Sequence, residues 1–255
     1  METEEVLALT LATSGGYVLP PPTLAPLPTA PRGHAPRVRQ AWKYLDAAHK
    51  STSALLESLA IVRQANKENA GKTHGRYSNE EIDLLRAAIV FTSSGLDASL
   101  QRLVRDTLPV LVRRDGTAAQ RAYALFLKQE LAVENIADSF RDAVLAPDPT
   151  DALLKLYVSM RTRASYQGSK ELRKRVRDAL GVPRAAVPDE DLAALDPFFI
   201  ARNAIVHGMD YEAPESSAGR KRTQRTRADT IAECDLVFDV AARLTIETAK
   251  ILQKK

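Results

Sequence analysis

From Val38 onward the apolar residues recur at three- and four-residue intervals, the spacing that lays one stripe along an α-helix. Val38, Trp42, Leu45, His49, Thr52, Leu56 and Leu59 predict a first helix over about 37–67, with His49 in the buried stripe. Ser78 or Asn79 is placed to cap a second helix, with Glu80 and Glu81 in its first turn and a stripe of Ile82, Leu85, Ile89, Leu96, Leu100 and Leu103. Thr92-Ser93-Ser94-Gly95 interrupts that stripe with small residues and predicts a close helix–helix approach, with a ligand as the other use of the gap. Pro109 should kink or end this helix. Asp115-Gly116-Thr117 reads as a turn and cap before a third helix, about 117–145, and Pro147-Asp148-Pro149-Thr150 separates it from a fourth, about 151–163. A short basic helix containing Arg173, Lys174, Arg175 and Arg177 is closed by Gly181 and Pro183. Residues 189–195 add a turn or two, and the last helix spans about 227–253. No segment alternates with strand period over a useful length and no internal repeat is visible, so the fold class is all-α.

Ahead of the helices, Pro20-Pro21-Pro22, Pro26, Pro28, Pro31 and Pro36 forbid a helix, and residues 1–35 read as a flexible Pro-rich tail joined to a helical domain over 36–255. The tail serves either as a linker or as a docking peptide for a polyproline-binding partner. Cys234 is the single cysteine, which excludes an intrachain disulfide framework and a cysteine-based zinc site. The start, Met-Glu-Thr-Glu-Glu, is acidic where a signal peptide is basic, and no apolar run approaches the span of a bilayer. A soluble cytoplasmic protein without membrane contact is therefore expected. No glycine-rich phosphate loop, paired-carboxylate metal site or serine-nucleophile signature stands in the chain.

One short segment combines helix signals with chemistry. In Asp196-Pro197-Phe198-Phe199-Ile200-Ala201-Arg202-Asn203-Ala204-Ile205-Val206-His207-Gly208, Asp196 is placed to be the N-cap, Pro197 the first helical residue and Gly208 the terminator, and Leu195 with Ile200 matches a hydrophobic staple. At about 100° per residue, Arg202 projects into the arc of Phe198, Phe199, Ile205 and Val206, while Asn203 and His207 stack one turn apart beside it. An arginine aimed at apolar surface either pairs with a carboxylate or waits for an anion, and a histidine in a last turn either satisfies helix carbonyls or does proton chemistry.

Arg202, the polar Asn203 directly after it and His207 five residues after the arginine resemble the motif of the HEPN superfamily of nucleases, and the resemblance extends over roughly 79–253. It implies an antiparallel helical bundle, here with an additional N-terminal helix over 36–70, and metal-independent cleavage of RNA without a cofactor. It also implies a homodimer whose two motif helices face each other and build one composite site; Phe198, Phe199 and Val206 are the apolar residues expected at that interface. The family often acts as a toxin held by an antitoxin, or in phage defence. The chemistry suits the residue types. The RNA 2′-hydroxyl is its own nucleophile, an imidazole with an ordinary pKa of about 6.5 can move its proton at neutral pH, and a guanidinium fork can hold the phosphate. Two other readings stand beside this one: a catalytically silent module binding RNA, nucleotide or a protein, and a helical scaffold in which the motif is coincidental.

Net charge is only +4, so clustering decides whether a polyanion is attracted. Arg220, Lys221, Arg222, Arg225 and Arg227 follow the motif with no acid among them, and are either an RNA track or a solvated cationic loop. The helix with Arg173, Lys174, Arg175 and Arg177 is a second candidate track.

Overall fold

A computed structural model describes residues 23–31, 36–70, 76–163, 166, 168–212 and 221–254. The helices are α1 (Pro36–Ala70), α2 (Asn79–Val112), α3 (Ala118–Ala132), α4 (Asp138–Val144), α5 (Pro149–Arg163), α6 (Ser169–Arg175), α7 (Asp189–Ala193), α8 (Asp196–Gly208) and α9 (Arg227–Gln253), with one π-helical turn, Val176–Leu180, continuing α6. Among the described residues no strand forms, and a single antiparallel bridge joins Tyr211 to Arg222. The chain is all-helical, as the apolar periodicity predicts.

The two longest helices, α1 and α2, make the most extensive pairing and α9 packs against both. Their stripes meet in one core that includes Leu45, Leu56, Leu85, Ile89, Leu100, Leu103, Val237 and Leu244, all buried. Small residues set the closeness of α1 and α2. The Thr52 and Thr92 hydroxyls bond to each other at 3.1 Å across the helix pair, and Ser99 Oγ donates to the Ala41 carbonyl at 3.0 Å. Any Cβ placed on Gly95 would overlap that of Ala48, so the gap in the stripe serves close packing. Gly95→Ala should therefore destabilise the fold by about 3 kcal/mol, because overlap between two stiff Cβ atoms outweighs the ~1 kcal/mol gain in helix propensity. An unchanged denaturant midpoint would sink this account.

Start and stop signals act largely as the sequence predicts. Ser78 caps α2 in a reciprocal box with Glu81. Thr117 caps α3 after Gly116, whose φ of 71° suits the turn. Pro109 lies inside α2, which continues to Val112. The predicted helix over 117–145 is two helices, α3 and α4, because Val133 turns to extended backbone. Val133, Asn135 and Ile136 are weak helix formers, and the break allows Phe140 to be buried edge-on against Phe126, with ring centroids 6.0 Å apart.

The tail expectation is corrected in its described part. Residues 23–31, neither helix nor strand, lie on the bundle, with Leu24 buried in the core and Leu27 packed against it. Burying one leucine contributes about 2 kcal/mol. Residues 1–22 and 32–35 lie outside the described residues.

Candidate functional site

Helix α8 is held from both ends, but not by the predicted devices. Leu195 at the N-cap position is helical (φ −79°, ψ −10°) and contributes no cap hydrogen bond, because the chain enters directly from α7 and its turn; Asp196 and Pro197 are already the first helical residues. Leu195 is buried while Ile200 is 69% exposed, so the two form no staple. At the far end Gly208 is still helical, and Met209 (φ 50°) and Asp210 (φ 63°) make the left-handed reversal. Their amides close the helix, with Met209 N donating to Ile205 O at 3.0 Å and Asp210 N to Ala204 O at 2.9 Å.

Phe198, Phe199 and Ile205 are the buried face of α8, which packs mainly on α2. This corrects the expectation that Phe198 and Phe199 face a second copy: their rings belong to the chain's own core, 5.9 Å apart and T-shaped. Val206, the third residue expected there, is exposed, together with Ile200 and Met209. Asn203 and His207 share this exposed face.

Arg202 sits at the border, half-buried. Its Nη1 donates to Asn203 Oδ1 at 2.9 Å, while its Nε is buried without a partner. The Asn203 carboxamide oxygen therefore steadies the Arg202 guanidinium. The residues of the motif are thus brought to one stretch of surface, but not to one point. Five helical residues separate Arg202 and His207 by about 140° around the axis, whereas Asn203 and His207 are about 40° apart.

The basic segment is mostly consumed by the fold. Asp210 is buried, and its carboxylate accepts from Arg86 Nε at 2.9 Å and from both Nε and Nη2 of Arg225 at 2.8 and 2.9 Å. Burial alone would raise the Asp210 pKa; Arg225 and Arg86 overcome it and hold the carboxyl below its ordinary range. Arg86 also donates to Asp83 and to the Thr223 carbonyl. Arg222 spans Asp83, at 2.8 Å, and the Met209 carbonyl, at 2.8 Å. Backbone bonds Thr223 N to Asp210 O and Glu212 N to Lys221 O complete the stitching. Arg227 is buried at the start of α9. Arg222, Arg225 and Arg227 therefore depart from the expected RNA track, because carboxylates, carbonyls and core packing occupy them. Lys221 pairs with Glu212 but its side chain remains 72% exposed; Arg220 lies outside the described residues.

The second basic run divides in the same way. Arg177 donates to the Val182 and Val187 carbonyls and to Asp189 at 2.7 Å, an interaction that lowers the Asp189 pKa. Arg175 is buried against the ring of Tyr166, 4.7 Å from its centroid. Only Arg173 and Lys174 of the four are on the surface. These corrections share a physical cause: an arginine's stem and fork can serve a core and a backbone as readily as a phosphate.

Asp210, Arg86 and Asp83 were not legible as a group in the sequence. Arg86 interrupts the apolar stripe of α2, which was the one available signal, and its partner lies 124 positions away. His49 keeps to the predicted stripe, its ring edge-on to Phe238 at 5.0 Å. Cys234 is buried, and burial pushes its thiol pKa up to about 12, which leaves it unsuited to act as a nucleophile. A cavity of 410 Å³ between α2 and α5 is lined by Arg105, Arg113 and Lys155 among others, and none of its lining residues belongs to α8. No described helix is long and apolar enough to cross a membrane.

Comparison with protein-family models, with curated proteins and with solved structures finds no match to this chain.

Proposed function

We propose that this protein is a metal-independent endoribonuclease on a HEPN-like helical bundle, acting as a homodimer. His207 is its general acid–base and Arg202 its phosphate-holding group. The observation that carries the reading is the make-up of the exposed face of α8, where His207 and Asn203 stand with Ile200 and Val206, and Met209 is exposed just beyond the helix end. Apolar side chains around polar, titratable ones suit a surface that is covered in the working assembly. The angular separation of Arg202 and His207 on a single helix gives the dimer its chemical purpose. A phosphate held by the arginine of one chain would be within range of a histidine from a facing helix, and two histidines would serve both proton transfers. Attack of the 2′-hydroxyl on the adjacent phosphorus forms the new P–O bond as the bond to the 5′-oxygen breaks. One imidazole takes the hydroxyl proton, an imidazolium returns a proton to the leaving oxygen, and the products are a 2′,3′-cyclic phosphate and a 5′-hydroxyl.

The setting that accompanies this reading is a toxin or defence nuclease, restrained by a protein that covers the α8 face. A second reading is favoured by the engagement of Arg222, Arg225 and Arg227 within the fold: a non-catalytic module that uses the same face to bind a protein partner. The deciding experiment is incubation of the full chain with single-stranded RNA in EDTA. Products ending in 2′,3′-cyclic phosphate support the nuclease, whereas intact RNA together with a monomer by light scattering overturns it.

For RNA binding, the surface cations Arg173 and Lys174 are the expected contacts. Changing both to Gln should weaken binding and lower the log–log salt slope by about 1.4, at about 0.7 per phosphate contact on a single strand. An unchanged slope would remove this helix from the RNA path.

A further inference from the structure

Residues 23–31 are neither helix nor strand, yet they are held as a ligand is held. Ala25 N donates to Asp235 Oδ1 of α9 at 2.9 Å, and Ala25 O accepts from His49 Nε2 of α1 at 2.9 Å. A carbonyl only accepts, so His49 must carry its proton on Nε2. Both main-chain groups of one residue are thus read by side chains from two helices. His49 is in turn set by its edge-on contact with Phe238. On either side of Ala25, Leu24 enters the core and Leu27 packs on it, three residues apart. That interval is one turn of a polyproline II helix, and Pro26 and Pro28 pre-set the backbone for it. Pro26 and Pro28 lack amide donors, so Ala25 is flanked on one side by a residue that could not make its bond.

We propose that the surface formed by α1 and α9 around His49 and Asp235 is a binding site for an extended Leu-x-x-Leu-Pro peptide, occupied in cis by Leu24 to Pro28 and able to take the same sequence in trans once that segment leaves. Two features argue that the segment is exchangeable rather than integral to the core. Among the described residues it is held by one buried leucine, one partly buried leucine and one pair of main-chain bonds. It also joins no sheet among the described residues, so its departure breaks no backbone ladder there. Such a short peptide is retained chiefly because tethering keeps its local concentration at the millimolar level. The prolines lower the ordering cost for a free peptide of the same sequence. This inference does not depend on the nuclease reading.

The test uses the full chain and a dye-labelled, N-acetylated peptide with the sequence of Thr23 to Pro31. Leu24→Asp with Leu27→Asp should release the resident segment, and fluorescence anisotropy should then show saturable binding of the peptide that is at least tenfold tighter than to the wild-type chain. Adding Asp235→Ala to the released variant should weaken binding about tenfold, the loss of a hydrogen bond to a charged acceptor. A peptide carrying Asp at the position of Leu24 should not bind. If the double variant loses helicity by circular dichroism, Leu27→Asp alone takes its place, since Leu27 is only partly buried. A folded released variant that ignores the peptide, or a wild-type chain that binds it equally well, overturns the proposal.

Discussion

His207→Ala is expected to lower RNA cleavage in EDTA by about 10²- to 10⁴-fold, the usual share of a positioned general acid–base, with helicity and melting unchanged. The side chain is exposed at the end of α8, so its removal leaves no cavity in the core and no buried partner unsatisfied. Arg202→Ala should cost about 10²- to 10³-fold through lost phosphate stabilisation. It should also carry some loss of stability, because Arg202 is half-buried and its Nη1 holds Asn203. His207 is thus the cleaner probe. In a composite site, mixing the two inactive variants should restore part of the activity, since a heterodimer retains one intact arginine and one intact histidine facing each other. Cleavage that requires a divalent ion, or that persists at the wild-type rate in His207→Ala, would falsify the mechanism.

The second large effect is expected at a residue that touches no substrate. Asp210→Asn should destabilise the fold by about 3 to 5 kcal/mol, because it leaves Arg86 and Arg225 facing a neutral group in a buried position. The consequences concentrate where α8 ends: Thr223 N and Arg222 Nε bind the Asp210 and Met209 carbonyls, while Arg222 to Asp83 and Arg86 to the Thr223 carbonyl tie this segment to the first turns of α2. Acid should mimic the substitution. The folded Asp210 pKa is depressed, so its contribution is complete above the ordinary carboxylate value near 3.9 and is lost as pH falls below that value toward the folded pKa. Asp83 is depressed for the same reason: burial raises it, but bonds from Arg222 and Arg86 prevail. Wild-type stability should therefore drop steeply below about pH 4, and Asp210→Asn should flatten that drop. A loss under 1 kcal/mol, or an acid profile identical to wild type, would show that the network is dispensable.

Particular elements show which parts of the fold are written locally in the sequence. The cap at Ser78, one of the two residues the sequence offered, and the cap at Thr117 are local devices, complete within four residues. The small-residue gap at Gly95 was legible because helix stripes are periodic and a missing aliphatic is conspicuous. The entry to α8 departs from its cap signal for an equally local reason. Asp-Pro is a good cap signal in isolation, but the turn after α7 already delivers helical backbone to Leu195.

The sequence by itself determined the all-helical class, the order and approximate limits of most helices, and the presence of an arginine, an asparagine and a histidine on one short helix, because each follows from periodicity or from contacts within a few residues. Tertiary structure alone decided which charges remain at the surface and which face of α8 is buried. It seated Phe198 and Phe199 in the core, drew Arg222 and Arg225 onto Asp83 and Asp210, and laid residues 23–31 against His49 and Asp235. The physical reason is that an arginine or a proline-rich stretch has no intrinsic destination. Its place is set by partners 15 to 210 positions away along the chain, and no local pattern encodes which of them it meets.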